Sequence, residues 1–273
     1  MRFLNKKMLW FVGYGIFITL VFLYLLFPSE LVKSRLEDSI NSGDFMIKSD
    51  SLHPAIPLGI KLKNVTISSP AQESILFQGE LLDLQFNLLS FFRKNTYIGF
   101  SGLAYGGSFD GRAGLISLSK AYPPVEVILN LENIDIENYP LSKGDLGKLF
   151  TGRASGTLTY ITDEAAGSVS STLTLFLKKG FYPLTEPFLG VTKIDFDRGE
   201  IQAQLKGDII KLEKLETFGP QVNCFLKGEI TKAADFKNSQ LNLNGTIEIL
   251  GKDKVKMKVT IGGTLANPAI RYI

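Results

Sequence analysis

The chain has 273 residues and a net charge of +3, from 30 Lys and Arg set against 27 Asp and Glu. Charges this evenly balanced supply no electrostatic footprint for nucleic acid, which takes clustered cationic side chains. One cysteine, Cys224, and one histidine, His53, exclude an internal disulfide and any zinc site built from several histidines.

Residues 1–7 are a short cationic stub carrying Arg2, Lys6 and Lys7. Twenty-two residues without charge follow, from Met8 to Ser29, and the next charge is Glu30. The apolar part, Met8 to Phe27, is long enough as a helix to cross the roughly 30 Å hydrocarbon layer of a bilayer. Trp10 and Tyr24 lie near its two ends, where aromatic side chains favour the membrane–water boundary. By the positive-inside rule the stub stays in the cytoplasm and everything after Pro28 is exported. The stretch is longer than a signal-peptide apolar region and no Ala-x-Ala-like site follows it, so the reading is an uncleaved anchor at 8–27.

Residues 28–43 read as an amphipathic helix next to the membrane. Ser29 is its cap, Glu30 suits its positive end, and Val32, Leu36 and Ile40 fall four apart on one face. Gly43 is a natural stop.

From about residue 44 to 273 the period changes to two. In Lys254 to Ile261, Val255, Met257, Val259 and Ile261 point one way, and Lys254, Lys256, Lys258 and Thr260 the other. Ser168 to Lys178 repeats the pattern with Val169, Leu173, Leu175 and Leu177. Val222, Cys224 and Leu226 do the same, as do Leu241 with Leu243 and Ile247 with Ile249. Gly199, Gly207, Gly228, Gly245 and Gly251 punctuate these runs at turn-like spacing. A mainly β body of about a dozen antiparallel strands follows, because short turns cannot join parallel neighbours. Ser142 to Phe150 and Thr185 to Gly190, the latter with Pro183 ahead of it and Pro187 within it, are short helical candidates. A closed barrel, a two-layer sandwich and an open half-pipe all satisfy the alternation.

One local form recurs: Phe or Leu, one residue, then Gly. It occurs at Phe109 to Gly111, Phe150 to Gly152, Leu226 to Gly228 and Leu243 to Gly245. Its irregular spacing excludes a strict solenoid, and glycine at a turn or bulge of each hairpin accounts for it.

No catalytic, cofactor or metal residue is assigned. A Ser-His-Asp triad would have to use His53, which precedes Pro54 in an apparent loop, and no Gly-x-Ser-x-Gly accompanies it. Asp195, Asp197 and Glu200 cluster around an expected turn without the spacing of a calcium loop. Cys224 alternates with Val222 and Leu226 and reads as a buried structural thiol. The Lys254, Lys256, Lys258 row reads as a solvated strand face or a protected sheet edge.

The residues Ile261 to Tyr272, IGGTLANPAIRY, resemble the G-T-L-x-N-P endings of the N component of type II secretion systems, the GspN family, and of the related AsmA-like envelope proteins. Leu62 to Ile67 followed by Leu81 to Ser90 resembles the opening hairpins of AsmA-like domains, and Ile194 to Ile230 their later ones. The resemblance implies an accessory component of the secretion machine, anchored in the bacterial inner membrane with a periplasmic body and other secretion components as partners. It also implies a long curved sheet, an AsmA-like β-groove or rolled half-barrel, whose lining accepts phospholipid tails. Val255, Met257, Val259, Ile261, Val222, Leu226, Leu241 and Leu243 would then line the groove. No active-site residue comes with the resemblance, which implies no enzyme and no cofactor.

Overall fold

The computed structural model describes residues 6–41, 45–56, 58–69, 74–86, 96–115, 124–139, 151–163, 168–188, 191–233, 238–250 and 255–272. Two helices open the chain, α1 (Lys6–Leu25) and α2 (Ser29–Ile40). The strands that follow are β1 (Met46–Lys48), β2 (Ser51–Ala55), β3 (Gly59–Ser69), β4 (Ser74–Phe86), β5 (Thr96–Ala104), β6 (Gly107–Leu115), β7 (Glu126–Asp135), β8 (Arg153–Asp163), β9 (Ser168–Phe188), β10 (Val191–Lys206), β11 (Ile209–Phe218), β12 (Val222–Thr231), β13 (Gln240–Ile249), β14 (Val255–Gly263) and β15 (Pro268–Tyr272).

All 15 strands belong to one sheet. From β3 to β15 each strand pairs antiparallel with the next in sequence, while β1 and β2 lie end to end along the outer edge of β3. The first and last strands do not pair with each other, so the sheet is not closed. Its buried apolar residues fall into separate small clusters instead of one core. One joins Ile47, Leu52, Leu62 and Val65; another Ala154, Leu177 and Phe196; a third Leu212, Leu241 and Leu243.

Helix α2 packs Val32 and Leu36 on the first cluster, together with Phe27 from the linker to α1. The helix begins on Pro28, whose carbonyl accepts from Val32 N, so Ser29 is not its side-chain cap. Proline suits this place because its missing N–H would have no helical partner. The helix ends at Ile40, ahead of Gly43, which lies outside the described residues. Helix α1 stands clear of the body, with Trp10 81% and Tyr24 48% exposed. Among the described residues no helix is long and apolar enough to cross a membrane; the side chains of Leu9, Leu20 and Leu23 in α1 lie outside that set.

Three local expectations need correction. Thr185 to Phe188 is the end of β9, not a helix. Proline is as well placed in extended backbone as in a helix start, and two prolines four apart prevent helical hydrogen bonding. His53 and Pro54 lie in β2, paired with Lys61 and Ile60, not in a loop. Gly199, Gly228 and Gly245 lie inside strands; of the expected turn glycines only Gly207, with φ of 58°, turns the chain. Ser142 to Phe150 and Gly251 lie outside the described residues.

At Phe109 to Gly111, Leu226 to Gly228 and Leu243 to Gly245 the recurring form is a pairing device, not a turn; Phe150 of the fourth instance lies outside the described residues. Across β12 and β13, Leu226 faces Gly245 while Gly228 faces Leu243. Across β5 and β6, Phe100 faces Gly111 while Gly102 faces Phe109. Across β5 and β6 each ring lies over the glycine opposite. A Cβ on Gly111 would meet the Phe100 ring and the Ile128 carbonyl, and one on Gly245 the Phe225 carbonyl. Glycine inside a strand here permits close backbone approach, and the facing side chain restores the lost apolar cover.

Gly245→Ala is therefore expected to cost about 2–3 kcal/mol through overpacking against fixed backbone. Gly262→Ala, whose added Cβ would find only the Leu241 carbonyl at 3.9 Å, should stay within about 0.5 kcal/mol. Denaturant titration of the full chain in detergent distinguishes the two.

Candidate functional site

The register sorts the two faces of the sheet. One row of directly paired residues starts at Leu62 and passes through Leu82, Gly102, Phe109, Leu131, Gly156 and Leu175 to Ile201. It continues through Leu215, Leu226, Gly245 and Val259 to Tyr272 on β15. The next row on the same face runs from Ile60 through Phe100, Gly111, Leu158 and Leu243 to Ile270 and likewise holds only apolar residues and glycine. Every strand from β3 to β15 thus contributes to two uninterrupted apolar rows. At about 4.8 Å per strand they extend roughly 55–60 Å along the sheet.

The intervening row on the opposite face is polar. It runs through Lys61, Asp83, Ser101, Asp110, Asn130, Thr157, Thr174, Gln202 and Lys214. Its members hold one another: Lys61 Nζ lies 3.3 Å from Asp83 Oδ2, Asn130 Nδ2 donates to Asp110 Oδ2 at 3.0 Å, and Thr157 Oγ1 donates to Asn130 Oδ1 at 3.1 Å. Lys214 Nζ donates to Glu200 Oε2 at 2.7 Å and, with Gln202, holds the Glu200 carboxyl below the usual carboxylate range.

Along the apolar rows the central side chains Leu129, Leu131, Leu158, Leu173, Leu175 and Ile201 are only half-buried. A second layer would bury them as a sandwich core is buried. Among the described residues no second layer covers this face; large exposed apolar surfaces in general mark interaction sites.

All eight expected lining residues fall on this face. Val222, Leu241, Leu243 and Val259 are buried, Leu226, Met257 and Ile261 half-buried, and Val255 exposed. Leu241, Leu243 and Ile261 meet in one cluster with Leu212 and with Leu265 from the β14–β15 turn. That turn is built by the Thr264 to Pro268 segment: Thr264 and Asn267 exchange backbone hydrogen bonds, and Thr264 Oγ1 also accepts from Asn267 N.

The earlier part of the face, Leu82 to Leu158, was not singled out from sequence. Its alternation is interrupted by glycine and by bulges, and only the pairing reveals which residues share a row. At one end of β4–β7 this face is closed by rings. Tyr139 packs edge-on to Tyr105 at 5.4 Å, and Phe77 packs edge-on to Tyr105 at 6.1 Å and to Phe109 at 5.5 Å. Tyr139 Oη donates to the Leu76 carbonyl at 3.2 Å, and Tyr105 Oη accepts from Gln78 N at 2.6 Å.

The other sequence candidates do not converge on a site. Asp195, Asp197 and Glu200 lie within β10, not around a turn; Asp195 pairs with Lys193 at 2.9 Å and Glu200 with Lys214. Among the described residues no three metal-ligating side chains come together. His53 is exposed on β2. Lys256 pairs with Glu248 at 3.2 Å and Lys258 faces Thr246 on the polar face, while Lys254 lies outside the described residues.

Cys224 is buried on the apolar side between Thr217 and Ile247. Burial pushes its thiol from 9.0 up to about 11. The folded chain therefore keeps a proton that the unfolded chain loses between those two values. Stability is unaffected below about 9 and falls as pH rises toward 11, by at most about 1.4 kcal/mol per pH unit. Alkaline denaturation curves of the full chain should show this fall, and Cys224→Ala should flatten it.

No family model matches the chain, and no curated protein or solved structure matches it.

Proposed function

We propose that the chain is a membrane-tethered β scaffold of the bacterial envelope whose apolar face holds the acyl chains of phospholipid. The observation that carries this reading is the pair of apolar rows crossing β3 to β15, with central side chains left half-buried. Each methylene moved from water onto such a face contributes about 0.8 kcal/mol. An acyl chain laid along the rows thus gains up to about 10 kcal/mol, of the same order as the cost of holding it there. No reaction and no cofactor are assigned.

The tether is α1. Of its 20 residues the 18 from Met8 to Leu25 belong to the uncharged run and give roughly 27 Å of helix, which Leu26 and Phe27 follow. Exposed Trp10 and Tyr24 near its two ends suit the two membrane interfaces. With Arg2, Lys6 and Lys7 on the cytoplasmic side, the body lies in the periplasm, tethered to the inner membrane in a single pass. Support for α2 as a rigid joint comes from the packing of Phe27, Val32 and Leu36 on the first strands.

A second reading, an accessory component of a type II secretion system, has support from the sequence resemblance and from the outer edge of β15, which among the described residues pairs with no further strand and offers a place for other components. The two readings use the same scaffold.

Native mass spectrometry of the full chain released into mild detergent should show bound phospholipid. Leu129→Asp with Leu173→Asp, on the apolar face, should lower the bound fraction several-fold. Thr159→Asp with Gln204→Asp, on the polar face of β8 and β10 and separated by Thr172 of β9, should leave it unchanged. A lipid-free spectrum of the unaltered chain, or equal loss in both variants, contradicts the reading.

A further inference from the structure

The two edges of the sheet are treated differently. At the first edge, α2 and the residue after it supply side chains to backbone groups that have no strand beside them. Ile47 N donates to Asn41 Oδ1 at 2.9 Å, Ser49 N donates to Glu37 Oε1 at 3.0 Å, and Lys33 Nζ donates to the Asp50 carbonyl at 3.1 Å. A helix laid over an edge and bonded to it in this way prevents strand addition.

Among the described residues the last edge has no such cover. All five residues of β15 are exposed, Ile270 at 43%. Thr264 and Asn267 exchange both backbone hydrogen bonds at the turn, so the antiparallel alternation makes Gly263–Pro268, Ile261–Ile270 and Val259–Tyr272 the non-bonded pairs. Pro268 falls where its missing N–H costs the ladder nothing. Ile270 directs both its N–H and its C=O outward, away from β14. Both apolar rows end on this strand, at Ile270 and Tyr272, and on its polar face stand Arg271 and, two residues from Thr260 on β14, Lys258. Neither cation makes an ion pair among the described residues.

We propose that the outer edge of β15 receives an extended segment of another protein, apolar at alternate positions and acidic between them. Its apolar residues would continue the rows past Ile270 and Tyr272, its acidic residues would face Arg271 and Lys258, and its backbone would pair with Ile270. Pro268 and Arg271 narrow the choice: proline withholds a donor at one end of the edge, and the guanidinium disfavours cationic strands. A second copy fits less well. Pairing β15 with itself sets Arg271 as a diagonal neighbour of its own counterpart, two like charges about 7–8 Å apart. The proposal does not depend on lipid occupying the apolar face.

The test uses the full chain in detergent micelles and short acetylated peptides of alternating Val and Glu, or alternating Val and Lys, followed by fluorescence anisotropy. The Val/Glu peptide should bind, with about a tenfold preference over the Val/Lys peptide. Arg271→Glu should reverse that preference. Ile270→Pro removes the outward donor without touching a β14 hydrogen bond and should abolish binding, whereas Ile270→Val should retain it. Equal binding of both peptides, or binding that persists unchanged in Ile270→Pro, overturns the proposal. So does a dimer of the unaltered chain, seen by sedimentation, that Ile270→Pro dissociates.

Discussion

Register is the constraint on which this molecule depends. Side chains alternate between faces with a period of two, so a slip of one residue between any two neighbouring strands would carry one side of the sheet's apolar set into the polar row. No slip occurs from β3 to β15. Where a strand carries an extra residue, a bulge absorbs it. In β7, Leu131 and Ile134 are three apart, yet they pair with Gly156 and Ala154, which are two apart. In β11, Leu212 and Leu215 pair with Gly228 and Leu226 in the same way. The bulges return the next apolar side chain to the correct face.

Within that frame the reciprocal Leu–Gly and Phe–Gly pairs set how closely strands approach. A glycine in each row makes room for the backbone of the neighbouring strand, and the side chain opposite covers it. Apolar cover is therefore shared between strands, which suits a sheet that has only small local clusters and no common core. The polar face is held by short ladders such as Asp110, Asn130 and Thr157, whose hydrogen bonds run across strands. Both sets of contacts act between sequence neighbours, so a long sheet assembles from successive hairpins with little loop-closure entropy at each step.

The β class and the one-sided character were legible in sequence because Lys254 to Ile261 alternates cleanly and Ser168 to Lys178 does so more weakly, with Phe176 out of phase. Helix α2 was legible from the spacing of Val32 and Leu36. What was not legible depended on pairing. Gly228 and Gly245 look like turn residues until their partners Leu243 and Leu226 are known. Leu212 and Leu215 break the period of two until the bulge opposite Gly228 and Leu226 explains it. Thr185 to Phe188, which contains Pro187 and follows Pro183, carries no alternation to reveal a strand, and Asp195 to Glu200 has the composition of a turn although it lies inside β10. The aromatic closure by Tyr105 and Tyr139 joins residues too far apart in the chain for any local pattern to connect them.

A proposed tether at one end, an edge bonded by its own helix, and a half-covered apolar face that ends on β15 are the features from which we propose a scaffold that holds something extended. The central claim is that one face is apolar in phase across all the strands and has no second protein layer over it. Nitroxide labels at Leu129, Leu173 and Ile261, compared with Asn130, Thr172 and Thr260, in a Cys224→Ala background of the full chain, test it directly through collision with oxygen and with a water-soluble nickel chelate. The account predicts that the first three favour oxygen and the last three the chelate, in phase on every strand. Equal shielding of the first three from both quenchers, or a change of phase between neighbouring strands, would contradict it.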